Sequence, residues 1–160
     1  MLVIECVILC ALFTVPVYLM SRDPIRTLYN YPPNIRARVQ SLEEYRGKIP
    51  TRKDKRAAKL AACGLFVLLL SLILRYVNGC RTFWQAFGQG FLLWTVVNLY
   101  DALVLDIAWF CHDPRFVLPG TEDMTADYHD NGFHIRGFFI GEAIALAVCA
   151  IAGLVVRFLL

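Results

Sequence analysis

Apolar residues in this chain are gathered into four blocks that polar loops separate. Each block is close to or above the about 20 residues that a helix needs to cross the hydrocarbon core of a bilayer. The blocks cover about residues 2–20, 60–77, 83–111 and 137–159. The long loops cover residues 21–59 and 112–136. This pattern predicts an all-α integral membrane protein, a four-transmembrane-helix bundle that forms a single membrane domain over residues 1–160.

The first long loop contains a second periodic pattern. Between residues 33 and 46, Ile35, Val39, Leu42 and Tyr45 follow one another at spacings of four and three, which places them on one face of a helix. Arginines occupy its other faces. The pattern predicts an interfacial amphipathic helix that lies on the lipid surface. The alternative is a solvated helix that packs the same apolar stripe on the bundle.

Composition supports the membrane class and excludes several kinds of site. Hydrophobic residues make up 58% of the chain, above the roughly 45–50% of soluble domains. The six cysteines form no C-x-x-C pair, which excludes a zinc ribbon and a thioredoxin-like redox motif. Phosphate-binding glycine loops, G-x-S-x-G and H-E-x-x-H motifs are also missing from the sequence. The sequence therefore predicts no metal site and leaves any cofactor unknown.

Charge is distributed unequally between the two loops. The loop 21–59 has eleven basic and four acidic residues, a net charge of +7, and the loop 112–136 has two basic and five acidic residues, a net charge of −3. Because basic loops stay in the cytoplasm, we expect both loops on the cytoplasmic side of a plasma or inner membrane and both termini outside. The basic loop is expected to bind anionic lipid headgroups of the bilayer. Its position between two spans disfavours nucleic acid as a partner, and its charge predicts an attraction to the acidic loop.

Two carboxylates lie inside the third apolar block. Asp101 is the stronger indication of a functional site, because an ionised carboxylate in a bilayer costs about 2.5–3.5 kcal/mol unless it is paired with a charge or exposed to water. We interpret Asp101 and Asp106 as candidate catalytic groups and Asn98 as a candidate substrate contact. The alternative is that Asp101 has a structural role only, with its carboxylate hydrogen-bonded to Asn98 or to a tyrosine or arginine of the basic loop. At α-helical spacing Asp106 is rotated by about 140° from Asp101, which predicts that the two do not point the same way.

All three histidines follow this block. His112, His129 and His134 lie in the second loop, and histidine is the side chain that most often acts as a general acid or base. With Glu142, near the expected start of the fourth span, they are candidate catalytic residues. The alternative is solvated loop histidines and a carboxylate that interacts favourably with a helix N-terminus.

Further polar residues on the same membrane face are candidate substrate-binding groups. Arginine side chains can pair with the phosphate or carboxylate of an anionic headgroup. Tight turns at proline- and glycine-rich corners can bring other polar side chains to the same pocket. The candidates are Tyr31, Arg36, Glu122, Asp123 and Arg136. The corners that contain Tyr31, Glu122 and Asp123 are explained equally well as breaks between helices.

Three functions compete at this point. The first is a membrane-embedded enzyme that acts on a lipid or another amphipathic substrate at the cytoplasmic face through an Asp/His cluster. It ranks first because polar groups from separate segments converge on one membrane face. The second is a small transporter or channel subunit, a homo-oligomer with Asp101 as the proton or cation site. The third is a scaffold or accessory protein whose loops bind a membrane partner.

Overall fold

A computed structural model of the protein describes residues 1–49 and 56–160, and of residues 56–59 and 62 the backbone alone. Within these ranges the chain is 80% helical and contains no strand. The α-helices are α1 (Leu2–Ser21), α2 (Pro33–Ser41), α3 (Arg56–Leu72), α4 (Phe83–Tyr100), α5 (Thr125–Tyr128) and α6 (Asn131–Phe158). π-Helical segments continue α3 over Ile73–Val77 and α4 over Asp101–Phe110. Short 3-10 helices cover Pro24–Asn30, Glu43–Tyr45 and Pro114–Phe116.

In the part of the chain that the structure describes, three helical segments are long and apolar enough to cross a membrane. They are α1, Phe83–Phe110 and Thr125–Phe158, whose most apolar windows have mean hydropathies of 2.4, 1.6 and 2.4. These segments confirm membrane-length helices for the first, third and fourth apolar blocks. The second block differs, since its described apolar helix, Cys63–Val77, is shorter than the about 20 residues of a span. The finer expectation of a four-transmembrane-helix bundle stays a prediction.

α6 begins at Asn131, ahead of the start at residue 137 that the apolar pattern predicts. The Oδ1 atom of Asp130 accepts the backbone N–H of Phe133 at 3.1 Å, and such a bond satisfies one of the free amides at the first turn of a helix. His134 is therefore held on a helix, and its prediction as a loop residue is wrong. The same correction applies to Arg136.

The described residues form two compact units. The first contains residues 1–7, 56–98 and 139–160, and the second contains residues 8–49 and 99–138. The third and fourth apolar blocks contribute residues to both units. The prediction of a single membrane domain stays a prediction.

Small and aliphatic side chains form the core of the first unit. Leu74, Cys149 and Ala152 have no exposed surface. A Cβ atom at Gly90 would lie 3.3 Å from Leu74 Cδ1 and 3.5 Å from Cys149 Sγ, so glycine allows close approach here. Small residues of this kind are typical of interfaces between membrane helices, where close van der Waals packing, and not the hydrophobic effect, drives association.

α2 buries the apolar stripe that was predicted for residues 33–46. Ile35 and Val39 have no exposed surface and belong to the core of the second unit. The other buried members of that core are Leu28, Tyr31, Tyr45, Leu118 and Tyr128. Because the protein itself covers the stripe, the prediction of an interfacial, lipid-facing helix is wrong and the alternative of a helix packed on the protein holds. The helix also ends at Ser41, earlier than expected, since Leu42 is extended with φ −83° and ψ 126°.

The two loops of opposite charge meet within the second unit. Arg38 Nη2 lies 2.8 Å from Asp123 Oδ2, and Asn34 Nδ2 donates to Asp127 Oδ1 at 2.6 Å. The predicted attraction between the basic and the acidic loop is thereby confirmed. Both contacts are exposed, and exposed ion pairs contribute only about 0–1 kcal/mol, so the apolar core and not the charge holds the loops together.

Three buried tyrosines hold one loop of the second unit by their hydroxyl groups. Tyr31 Oη donates to the carbonyl oxygen of Phe116 at 2.9 Å, and Tyr45 Oη donates to that of Pro119 at 2.9 Å. Tyr128 Oη accepts a backbone N–H of the same loop at 3.0 Å. Burial raises the pKa of Tyr31 far above its usual range, so its hydroxyl stays protonated and remains a donor.

Tyr31→Phe is expected to lower the free energy of unfolding by about 1–3 kcal/mol, because the ring is kept while a buried carbonyl oxygen loses its donor. Chemical unfolding in detergent, followed by near-UV circular dichroism, measures the difference. Tyr29→Phe is the matched control, because Tyr29 is 38% exposed, and its effect should stay within about 0.5 kcal/mol. Equal stability of the wild type and Tyr31→Phe would contradict the role of the hydroxyl.

Candidate functional site

A π-helical segment contains both candidate carboxylates of the third apolar block. Asp101 opens the segment Asp101–Phe110 and Asp106 lies in its middle. The backbone N–H of Cys111 donates to Asp106 O at 3.0 Å, which is the bond to the fifth preceding residue that defines a π-helix. At about 4.4 residues per turn, residues five apart differ by about 50° in direction. Asp101 lies within electrostatic range of Asp106, and the predicted rotation of about 140° does not apply to this segment because it assumed α-helical spacing.

His134 is hydrogen-bonded to Asp106 in the interior of the second unit. Its Nδ1 lies 2.9 Å from Asp106 Oδ2, and the residue is 5% exposed. The rings of Phe110 and Phe133 flank it, with centroids at 5.5 and 5.3 Å. Its Nε2 is buried and has no hydrogen-bond partner in the described part of the chain. One ring nitrogen is thus held by a carboxylate, and the other has no hydrogen bond of good geometry among the described residues.

Asp101 joins this pair. It is partly buried and lies within electrostatic range of both Asp106 and His134. Three of the six residues predicted as catalytic are therefore brought together in one cluster of the second unit. Two carboxylates beside one imidazole form an arrangement that can hold a proton and exchange it with a bound molecule.

Cys111 is a neighbour of His134 that the sequence reasoning missed. It is 4% exposed, and its side chain lies within hydrogen-bonding and electrostatic range of the imidazole. At the sequence level it is one of six scattered cysteines without a motif. The signal that would have found it is its position five residues after Asp106, which is informative only when the segment is known to be π-helical.

The other two histidines form a separate exposed pair in the same unit. The ring centroids of His112 and His129 are 4.9 Å apart, and the rings are nearly perpendicular at 86°. His112 Nδ1 lies 2.9 Å from the carbonyl oxygen of Ile107, and His129 Nδ1 lies 2.7 Å from that of Thr125. The predicted histidine group is therefore divided, since His134 joins the carboxylates and the other two contact each other.

Glu142 belongs to the first unit and pairs with α4. Its carboxylate oxygens accept hydrogen bonds from Thr95 Oγ1 at 2.7 Å and from Asn98 Nδ2 at 2.8 Å. A Cβ atom at Gly141 would lie 2.7 Å from Asn98 Oδ1, so glycine is needed for this close approach. Glu142 lies about three turns inside α6 and not near its start, which corrects the prediction of a carboxylate at a helix N-terminus. The contacts explain Glu142 and Asn98 as polar groups that satisfy each other between apolar helices.

The residues predicted to bind substrate have different surroundings. Tyr31 is 1% exposed and its hydroxyl is used, so it is a core residue and not part of a binding surface. Glu122 accepts a backbone N–H of its own turn at 2.9 Å, and Asp123 forms the ion pair with α2. Arg36 is half-buried, and its Nε has no hydrogen-bond partner among the described residues. Arg136 is exposed on α6, so the two arginines are the members of this set that suit an anionic group.

An open depression of about 430 Å³ lies at the end of the π-helical segment and is lined in part by Trp109, His112 and Arg115. Asp113 accepts hydrogen bonds there from Trp109 Nε1 at 2.6 Å and from Arg115. The Arg115 guanidinium holds the pKa of Asp113 well below its usual range. Asp113 therefore stays ionised at physiological pH and neutralises Arg115, which makes this depression a poor site for an anion.

Within the described ranges, no group of three or more His, Cys, Asp or Glu side chains is arranged to hold a metal ion. No known protein family, curated protein or solved structure matches this chain.

Proposed function

We propose that the protein is a membrane-embedded enzyme that acts on a lipid or another amphipathic substrate through Asp106 and His134. The observation that carries this proposal is the state of the buried His134 ring. Nδ1 is bonded to a carboxylate at 2.9 Å, and Nε2 has no partner in the described structure. An imidazole that is oriented at one nitrogen and unengaged at the other is the usual arrangement of a general base.

The pair supplies proton transfer to a reacting group. In the neutral form of the ring, the Nδ1–H that is donated to Asp106 fixes the tautomer and leaves the lone pair on Nε2. Nε2 takes the proton of a water molecule or substrate hydroxyl as that oxygen attacks an ester or phosphoester, and then returns the proton to the departing oxygen. Asp106 stabilises the imidazolium that exists between the two steps. Asp101 adds a second negative charge with the same effect.

The surroundings favour a substrate with an apolar tail and a polar reacting group. Phe110 and Phe133 make the walls around His134 apolar, and the second unit contains parts of all three membrane-length segments. An acyl or isoprenoid chain can stay in the bilayer while its headgroup reaches the imidazole. Arg36 and Arg136 are available to hold an anionic headgroup, since a guanidinium donates two N–H groups at once to a phosphate or carboxylate.

The charge of the first loop supports a location for this reaction. Its excess of basic residues favours a plasma or inner membrane with both loops in the cytoplasm and both termini outside. Residues 50–55 of the loop lie outside the described structure, and their charges are known from the sequence. Contact with anionic lipid, a second copy of the chain or another membrane protein is compatible with this placement.

The first test is a search for turnover by the purified protein in lipid nanodiscs. A total lipid extract and a set of labelled phospholipid and isoprenoid esters are incubated with the wild type, and products are followed by mass spectrometry. We expect one lipid class to be consumed, and His134→Gln to reduce its rate by about 10²–10⁴-fold because a general base is removed. The matched control is His112→Gln, an exposed histidine of the separate pair.

Two results would contradict the enzyme proposal. One is the absence of any lipid or isoprenoid product with wild-type protein. The other is equal loss of turnover in His134→Gln and His112→Gln, which would point to a general effect of losing a histidine. Circular dichroism of each variant shows whether the fold is kept.

A proton-coupled transporter is the second candidate, and the interaction of Asp101 with Asp106 and His134 favours it. Ionisable side chains inside membrane-length helices are typical of proton relays. In proteoliposomes, a transporter gives a pH-driven solute flux that Asp101→Asn abolishes, without any chemical change of lipid. Lipid turnover without such a flux would decide for the enzyme.

A further inference from the structure

We infer that His112 and His129 together bind one divalent transition-metal ion, and that this ion is Zn²⁺. The pair lies outside the Asp106–His134 cluster, and no part of the proposed catalysis uses it. Both side chains are exposed. Imidazole nitrogen is a preferred ligand of zinc, copper and nickel, whereas magnesium and calcium prefer oxygen.

The hydrogen bonds of the two rings fix which nitrogens are available. A carbonyl oxygen can only accept, so the nitrogen that contacts it must carry the proton. Nδ1 of His112 is bonded to Ile107 O and Nδ1 of His129 to Thr125 O. In each neutral ring the lone pair is then on Nε2. Metal-bound histidines usually have their second nitrogen on a carbonyl or carboxylate in this way, and the contact orients the ring.

The separation of the rings fits a shared ion. A Zn–N distance of about 2.0–2.1 Å places each ring centroid about 3.2 Å from the metal. Two such rings have centroids about 4.5 Å apart for a 90° angle at the metal and about 5.2 Å apart for the tetrahedral angle. The observed separation is 4.9 Å. Water molecules would complete the coordination, consistent with the lack of a third protein ligand within the described residues.

The two ligands come from different elements. His112 follows the π-helical segment, and His129 follows α5 directly before α6. A bound ion would therefore connect the end of one membrane-length segment to the start of the next. Metal binding to the folded state alone raises the temperature of unfolding.

The test uses Zn²⁺ and the full chain in detergent. Equilibrium dialysis followed by elemental analysis is expected to give one Zn²⁺ per chain, and isothermal titration should show that His112→Ala and His129→Ala each weaken binding at least tenfold. The double variant should be no worse than either single one, because one ligand cannot replace two. His134→Gln is the control and should keep the wild-type affinity. Binding should be weaker at pH 5 than at pH 7.5, since a protonated imidazole is not a ligand.

A spectroscopic measurement separates a metal site from a merely structural contact. With Cu²⁺ in place of Zn²⁺, electron paramagnetic resonance should show coupling to two imidazole nitrogens, reduced to one in each single variant. No saturable binding at 100 μM Zn²⁺, or binding that His129→Ala leaves unchanged, would overturn the proposal. In either case the two rings would be a simple edge-to-face contact.

Discussion

Asp106→Asn and His134→Gln are each expected to lower kcat by about 10²–10⁴-fold, and the double variant is expected to be little worse than either single one. The physical reason is that the two side chains act as one group. Asp106 contributes by fixing the tautomer of His134 and by stabilising its charged form, so its effect vanishes once the imidazole is gone. Single-turnover kinetics on the lipid identified by the turnover search measures kcat for all four proteins.

This double-mutant cycle has a matched control, and one outcome would contradict the coupling of the two side chains. Asp23→Asn removes a carboxylate that pairs with Arg26 at the surface, and it should leave kcat unchanged. Losses that simply multiply in the double variant would mean that the two side chains act independently. The hydrogen bond of 2.9 Å between them would then have no part in the reaction. A loss confined to KM would instead assign the pair to substrate binding.

Gly153→Val is expected to destabilise the first unit by about 1–3 kcal/mol through overpacking. A Cβ atom at this position would lie 2.9 Å from Phe83 Cδ2 and 3.1 Å from the carbonyl oxygen of Phe83. The ring of Phe83 stacks on Phe87 at 5.8 Å and the carbonyl belongs to the backbone, so neither group moves without disturbing its neighbours. Chemical unfolding in detergent, followed by tryptophan fluorescence, measures the loss.

Gly137→Val provides the matched control on the same helix. A Cβ atom at Gly137 would have nothing within 4 Å, so the substitution changes helix propensity alone and its effect should stay within about 0.5 kcal/mol. Similar losses for the two variants would show that valine itself, and not the contact with Phe83, is responsible.

Much of the fold is predictable because it follows from the distribution of apolar residues. The first, third and fourth blocks are long enough to cross a bilayer, and each forms a helix of that length. The stripe that includes Ile35 and Val39 correctly predicts a helix. The prediction that lipid covers this stripe was wrong, because periodicity defines a face but does not say whether lipid or protein lies against it. The opposite charges of the loops correctly predict the contact between Arg38 and Asp123.

The candidate site was predicted less well, because two features of the backbone are not evident from the sequence: the π-helical segment and the start of α6. The segment from Asp101 contains no proline or glycine, and its apolar pattern is as compatible with an α-helix as with a π-helix, so the sequence does not reveal the wider turn. The start of α6 was also misplaced. Asn131-Gly132 is a common turn signal, but Asp130 caps the helix instead and brings His134 onto it.

The π-helical segment has a consequence for how this arrangement can arise or be lost in evolution. A π-turn differs from an α-turn by one additional residue for the same rotation. Deletion of a single apolar residue between Asp101 and Asp106 would restore α-helical spacing and place the two carboxylates four residues apart, and residues four apart in an α-helix also share a face. Every side chain of the cluster would still be present in such a chain. The π-turn thus accommodates one additional residue without separating the carboxylates, and a relative that is one residue shorter in this stretch can keep the same pair at α-helical spacing.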